Sequence, residues 1–185
     1  MLKIFVPLLL ICAVVAGVIS GIQVMTKEQI AKNEAMVEAK KEEQKLAAIA
    51  EIYGEGITFE TMATPPEGID EIRSAFDDEG NELVTVTLTV KGYASGLQVF
   101  VAFGIGGEIR RVMVLASNET TGIGSKVSNE NYLKGYEGIT GTAYFGDSID
   151  KIAGASISSK AVLGAVNTAR EALESLGIYE KGVAW

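Results

Sequence analysis

From Ile4 to Val24 the chain runs for 21 residues without a charged side chain, IFVPLLLICAVVAGVISGIQV. Wound as an α-helix, such a run is about 31 Å long, close to the thickness of a hydrocarbon core. Pro7 falls in its first turns, where a missing N–H costs least. A cleaved signal peptide is the competing reading, with Ala16 among the possible cut sites, but the run is long for a signal core. The sequence therefore predicts a retained transmembrane anchor over residues 1–25. Ile11, a branched residue, precedes Cys12 where a lipoprotein signal has a small one, so Cys12 reads as a lipid-facing or packing thiol. Lys3 precedes the run, while Lys27 and Lys32 beyond it alternate with Glu28 and Glu34. The charge bias is nearly balanced. The short N-terminus favours a cytoplasmic start, a single pass through the inner membrane, and the bulk of the chain outside the cytoplasm.

Residues 26–55 read as a juxtamembrane helix. Thr26 and Gln29 have capping-box spacing, and Gly54 and Gly56 end the run. Ile30, Met36 or Val37, Leu46 and Ile49 make a broken apolar stripe among mixed charges, the pattern of a solvated stalk. A helix that docks on a partner subunit is the minority reading.

The remainder, residues 56–185, carries a β signal. In ELVTVTLTVKG, Val84, Val86, Leu88 and Val90 alternate with Thr85, Thr87, Thr89 and Lys91, the period of a half-buried strand. LQVFVAF alternates likewise, GIGGE is a glycine-rich turn, and IRRVMVLAS returns, so these strands form antiparallel hairpins. An earlier strand is expected in PPEGIDEIRSAF, followed by an Asp-rich turn. From Ser159 onward Val162, Val166, Ala169, Leu173 and Leu176 share one helical face, stopped by Gly177. The fold class is α+β, an antiparallel sheet covered by a long C-terminal helix.

The net charge of −8 argues against a nucleic-acid partner. With one cysteine and no histidine, the chain cannot build the usual nitrogen–sulfur zinc site, an iron–sulfur cluster of its own, or a nucleophile–histidine pair. No metal site and no catalytic residue is expected, and chemistry here requires a borrowed group. The stretch DSIDKIAGASISSKAV places Gly154 and Ala155 ahead of three hydroxyls, Ser156, Ser158 and Ser159, where a helix begins. A serine helix cap explains this arrangement. A phosphate resting on the helix N-terminus beside a hydroxyl also explains it, with Lys151 and Lys160 flanking.

The order of residues in DKIAGAS resembles the flavinylation motif Asp-x-x-(Ser/Thr)-Gly-Ala-(Thr/Ser) of the FMN-binding domain family. That family includes the G subunit of Rnf-type ferredoxin:NAD+ oxidoreductases and the C subunit of the sodium-pumping NADH:quinone oxidoreductase. The resemblance makes Asp150 the motif acid, Gly154 and Ala155 the small pair, and Ser156 the acceptor of covalent FMN. Ala153 stands where the family has Ser or Thr, and Ser156 where Thr is usual. SNETTGIGSKV is similar to the family's Glu-Thr-Pro-Gly-(Leu/Ile)-Gly segment, with Thr121 in place of Pro. This implies cofactor-binding roles for Glu119, Thr120, Thr121, Gly122 and Gly124. KGYASGLQVFVAFGIGGEIRRVMV is similar to the family's Gly-Tyr strand and hairpin, with Tyr93 lining the pocket, and Ser158 joins the implied set.

The resemblance implies an electron-carrying subunit, not a complete enzyme, in an ion-translocating complex of the Rnf type. Its implied partners are other membrane subunits, the bilayer, and a flavin transferase that moves FMN from FAD onto the hydroxyl. The short insertions in the soluble part favour the Rnf type over the sodium pump. A stand-alone extracytoplasmic flavin carrier is a further alternative.

Overall fold

The computed structural model describes residues 2–54, 56–76, 82–146 and 148–179; the side chains of residues 2–11, 24 and 25 lie outside the described part. The chain divides into two units, Met1–Glu43 and Gln44–Trp185.

The first unit lies within helix α1 (Leu2–Tyr53). The expected anchor and separate stalk are corrected here. One helix runs through both segments, and among the described residues no helix is long and apolar enough to cross a membrane. The described part of the apolar run, residues 12–23, is about 18 Å long as a helix, well short of a hydrocarbon core. The rest of the expected span, residues 4–11 and 24, has its side chains outside the described part. Beyond it the charges of Lys27, Glu28 and Lys32 follow at once. Thr26 does not start a new helix. Its hydroxyl donates back to the Ile22 carbonyl at 2.7 Å, the contact a threonine makes inside an uninterrupted helix. Downstream, Ala, Glu, Lys and Gln are strong helix formers, reinforced by the exposed Lys32–Glu28 pair at 2.8 Å. Gly54, at φ 93°, ends α1, and its N–H bonds the Ala50 carbonyl at 3.0 Å.

The second unit is built on a five-stranded antiparallel meander. Its strands are β1 (Glu60–Thr61), β2 (Glu71–Phe76), β3 (Glu82–Val90), β4 (Leu97–Phe103) and β5 (Ile109–Ala116), in the order β1-β2-β3-β4-β5. The alternating residues behave as their period dictates. Val86 pairs with Val101 and Ile72, and Val101 with Val112, so these side chains line one face. Helix α3 (Ser156–Ser175) lies on that face through Val162, Ala165, Val166, Ala169 and Leu173, all fully buried. Val127, Leu133 and Tyr136, from the segment around the short helix α2 (Glu130–Leu133), complete the core.

The opposite face departs from the half-buried expectation. Thr85 and Thr87 are as buried as their valine neighbours, and they pair with Ala102 and Phe100. The last turns of α1 cover this face: Ala48 and Ile49 pack on Phe100 and Ala102, with Ile52, Tyr53, Phe59 and Met113 around them. The end of the expected stalk is thus part of the folded unit. Polar groups seal the contact. Lys45 Nζ reaches Glu71 at 2.6 Å, Arg73 reaches the same carboxylate at 2.8 Å, and Tyr53 donates to the Phe103 carbonyl at 2.5 Å. Burial pushes the Tyr53 phenol well above its ordinary range. The sheet is sandwiched between helices, giving an α+β unit of three layers. The expected Asp-rich turn between β2 and β3 falls in residues 77–81, outside the described residues.

Ile49→Ala removes apolar bulk from a closed layer and should lower the unfolding free energy by about 2–4 kcal/mol. Met36→Ala, at an exposed helix position, should change it by less than about 0.5 kcal/mol. Chemical denaturation of both variants checks the contrast. Glu51 is hydrogen-bonded by Arg111 at 2.6 and 2.7 Å, which lowers its pKa. A lowered carboxylate pKa stabilises above the unfolded-state value, and that gain is lost as the pH falls through the folded-state value. Glu51→Gln should therefore flatten the acid limb of a stability–pH curve and leave the alkaline limb unchanged.

Candidate functional site

Three loops converge at one end of the sheet. The first, residues 91–96, joins β3 to β4 and carries Tyr93. A second follows β5 and carries Glu119 to Gly124. The third precedes α3 and carries Gly154 and Ala155. Between them lies a cavity of about 500 Å3. Its walls take Tyr93 from the first loop, Glu119, Thr120, Ile123 and Gly124 from the second, Gly154 and Ala155 from the third, and Ser156 to Ser158 from the first turn of α3.

The approach to α3 explains why small residues stand there. The Ala155 N–H bonds the Ile152 carbonyl at 2.9 Å, closing a tight turn with Gly154 at φ 81°. A side chain at Gly154 would meet no atom within 4 Å, so the demand for glycine is conformational, not spatial. Ala155 then occupies the N-cap position of α3 and offers no side-chain acceptor; no side chain caps the helix. The serine-cap reading therefore fails. The first-turn N–H groups of this 20-residue helix have no intrahelical partner, and Ser156, Ile157 and Ser158, which carry them at the positive end of its dipole, line the cavity.

The three serines divide by environment. Ser159 is fully buried, and its hydroxyl accepts from the Ile152 N–H at 3.2 Å, tying the turn to the helix. Ser158 is also buried and donates to Glu119 Oε2 at 2.5 Å. Ser156 is exposed, lines the cavity, and has no hydrogen-bond partner among the described residues. Only one of the three hydroxyls is free to react.

Glu119 is 7% exposed. Its Oε1 accepts from the Ala94 N–H at 3.0 Å, and its Oε2 from Ser158. This carboxylate thus links the first two loops to the first turn of α3. Two glycines make room for it: a Cβ on Gly92 or on Gly124 would overlap a Glu119 oxygen, and the latter would also crowd Ser158 Oγ at 3.0 Å. Gly124 is therefore a space requirement. Gly122, at φ 77°, is a conformational one, and its N–H bonds Ser125 Oγ at 2.8 Å.

Among the residues singled out in the sequence, Tyr93, Glu119, Thr120, Gly124, Gly154, Ala155, Ser156 and Ser158 come together around the cavity. Thr121 and Gly122 lie on the same loop without lining it, and Asp150 is exposed and stands apart from its walls. Ile123 and Ile157 were missed. Each is an exposed apolar residue between polar or small neighbours, about half accessible, and with Tyr93 they make the greasy part of the wall. Ile123 stood on the Leu/Ile position of the Glu-Thr-Pro-Gly-(Leu/Ile)-Gly segment, whereas the only sequence signal for Ile157 was an isoleucine where a helix start would favour a polar residue.

Residues 92–171 match the FMN-binding domain family. The match takes in all three cavity loops. Among solved structures, the crystal structure of NqrC from Shewanella oneidensis is similar, with 25% identity over 60% of this chain and a TM-score of 0.44. This chain spans 62% of the length of that one. None of the curated proteins matches the chain in sequence.

Gly124→Ala should lower the thermal unfolding midpoint, at a cost of about 1–3 kcal/mol, because its methyl displaces the Glu119 carboxylate and Ser158. Gly164→Ala, on α3 with open space around it, should be neutral or slightly stabilising. Thermal melts of the two variants check this.

Proposed function

We propose that the segment matching the FMN-binding domain family, residues 92–171, holds FMN covalently through Ser156, and that the chain passes electrons through it within a multi-subunit redox complex. The observation that carries the proposal is the combination at α3: an accessible, unbonded hydroxyl at the first position of a long helix that no side chain caps. A helix start of this kind holds phosphate well, since its free N–H groups and dipole offset negative charge.

The remaining residues fit the group. A cavity of about 500 Å3 is within the range of small-molecule cofactor sites, about 300–1,000 Å3. Tyr93, Ile123 and Ile157 offer flat or branched apolar surface for a ring system, and Thr120 and Glu119 offer polar contacts. The flavin supplies the redox chemistry when bound. The chain's own part is to tether, orient and partly dehydrate it. No histidine is needed for that.

For attachment, Ser156 Oγ attacks the FMN phosphorus of FAD, held by a flavin transferase. The pyrophosphate bridge breaks, AMP departs with the bridging oxygen, and the hydroxyl proton passes to the transferase or to water. No electrons change hands, and a phosphodiester remains. The tether lets the domain keep its flavin without a deep phosphate pocket.

The larger assembly is, in this reading, of the Rnf ferredoxin:NAD+ oxidoreductase type. The support is the compactness of the sheet, where short loops join β3 to β4 and β4 to β5 without inserted elements. Co-purification with ferredoxin-linked membrane subunits is the expected result. Recovery with quinone-reducing subunits would instead assign the chain to the sodium-pumping type, and recovery as a single subunit would make it a stand-alone carrier.

Intact-mass analysis of chain produced together with a flavin transferase should show one FMN added, with yellow in-gel fluorescence that survives denaturation. Ser156→Ala should abolish both, at least a hundredfold loss of fluorescence, while Ser156→Thr should retain them because the hydroxyl is kept. A native chain that weighs no more than its bare polypeptide overturns the proposal.

A further inference from the structure

The described residues hold few buried charges, and their partners differ. Lys45 is paired with Glu71. Arg170 donates to the carbonyls of Thr140 at 2.8 Å and Ile139 at 3.0 Å, and lies over the Phe103 ring. The Glu119 carboxylate has two contacts, a backbone N–H and a hydroxyl, and among the described residues no cation pairs with it. This uncompensated carboxylate forms part of the cavity wall.

We propose that Glu119 is a positioning and tuning residue that holds the reduction potential of the cavity-bound flavin low. The proposal rests on the reading that FMN occupies this cavity. Each electron that a reductant delivers to the ring adds a negative charge until a proton from solvent joins it. A fixed negative charge in the same partly dehydrated cavity opposes that addition, because the local dielectric screens it less than water does. Two neutral donors disperse the carboxylate's charge but do not cancel it.

The two oxygens also latch the Ala94 loop and the start of α3, so a purely structural role has to be separated from the electrostatic one. Glu119→Gln does this. The amide oxygen can accept from the Ala94 N–H, and the amide nitrogen can donate to Ser158 Oγ, which then acts as acceptor. Shape and latch survive while the charge goes.

The test is a redox titration of the flavin on the full chain, monitored by absorbance against dyes of known potential, beside intact mass and a thermal melt. Glu119→Gln is expected to keep its FMN mass and its melting midpoint and to move the one-electron equilibrium about tenfold toward the reduced form, roughly a 59 mV rise. Ser158→Ala, which keeps the charge and removes one donor, is expected to move the potential the opposite way. FMN present with an unchanged or lower potential in Glu119→Gln overturns this inference and leaves the flavin reading intact. Should Glu119→Gln fail to fold, a rise or no change in Ser158→Ala overturns it as well. A native chain without FMN overturns both.

Discussion

The seating of α3 on the sheet is the constraint on which the site depends. Val162, Val166, Ala169 and Leu173 are fully buried against the inner faces of β3 and β4. Interiors are packed as densely as organic crystals, so a helix held at four such points cannot slide along its axis. Its first turn is therefore placed at the end of the sheet where two other loops already lie. Nothing in that first turn needs to be rigid by itself. The helix carries the rigidity, and the loop before it needs only the turn conformation that Gly154 permits.

Polar burial is handled in two distinct ways on the two sides of the sheet. Under α1, Glu71 sits between Lys45 and Arg73, a compensated cluster that closes the outer layer. Such clusters contribute little net stability when their desolvation is counted, but removing one member is costly. Around the cavity the carboxylate of Glu119 is satisfied by a hydroxyl and an amide. The first arrangement serves a closed interface. The second leaves charge and open coordination facing a space that a ligand can enter, and the glycines at 92 and 124 exist to let it do so.

Much of the sheet was legible because strand periodicity is a local property. Val84 to Val90 alternate with threonines, the turns carry glycine, and β3, β4 and β5 lie where those signals put them. The outer cover was not legible. Ala48 and Ile49 sit among lysines and glutamates, so no continuous apolar stripe announces that the end of α1 is an inner surface, and Thr85 and Thr87 look solvent-facing until a helix lies over them. The membrane expectation came from an uncharged run counted by itself. Among the described residues that run is too short to serve, and the helix continues through it into charged sequence. At the site, the polar and small residues and Ile123 carried a pattern in their order, whereas Ile157 carried none.

By itself, then, the sequence determined the local items: the antiparallel strands, the helix that starts at the serines, and the exclusion of a nucleophile–histidine pair. Those depend on residue type and on periods of two and 3.6, which act over a few neighbours. Only the tertiary structure decided which serine stays accessible, because Ser156, Ser158 and Ser159 differ in what the fold brings against them, not in kind. It also decided that Glu119 meets Ser158, 39 positions away, and that α1 closes the second face of the sheet. Contacts at that separation arise from burying both faces of one sheet, a requirement no short stretch of the chain encodes.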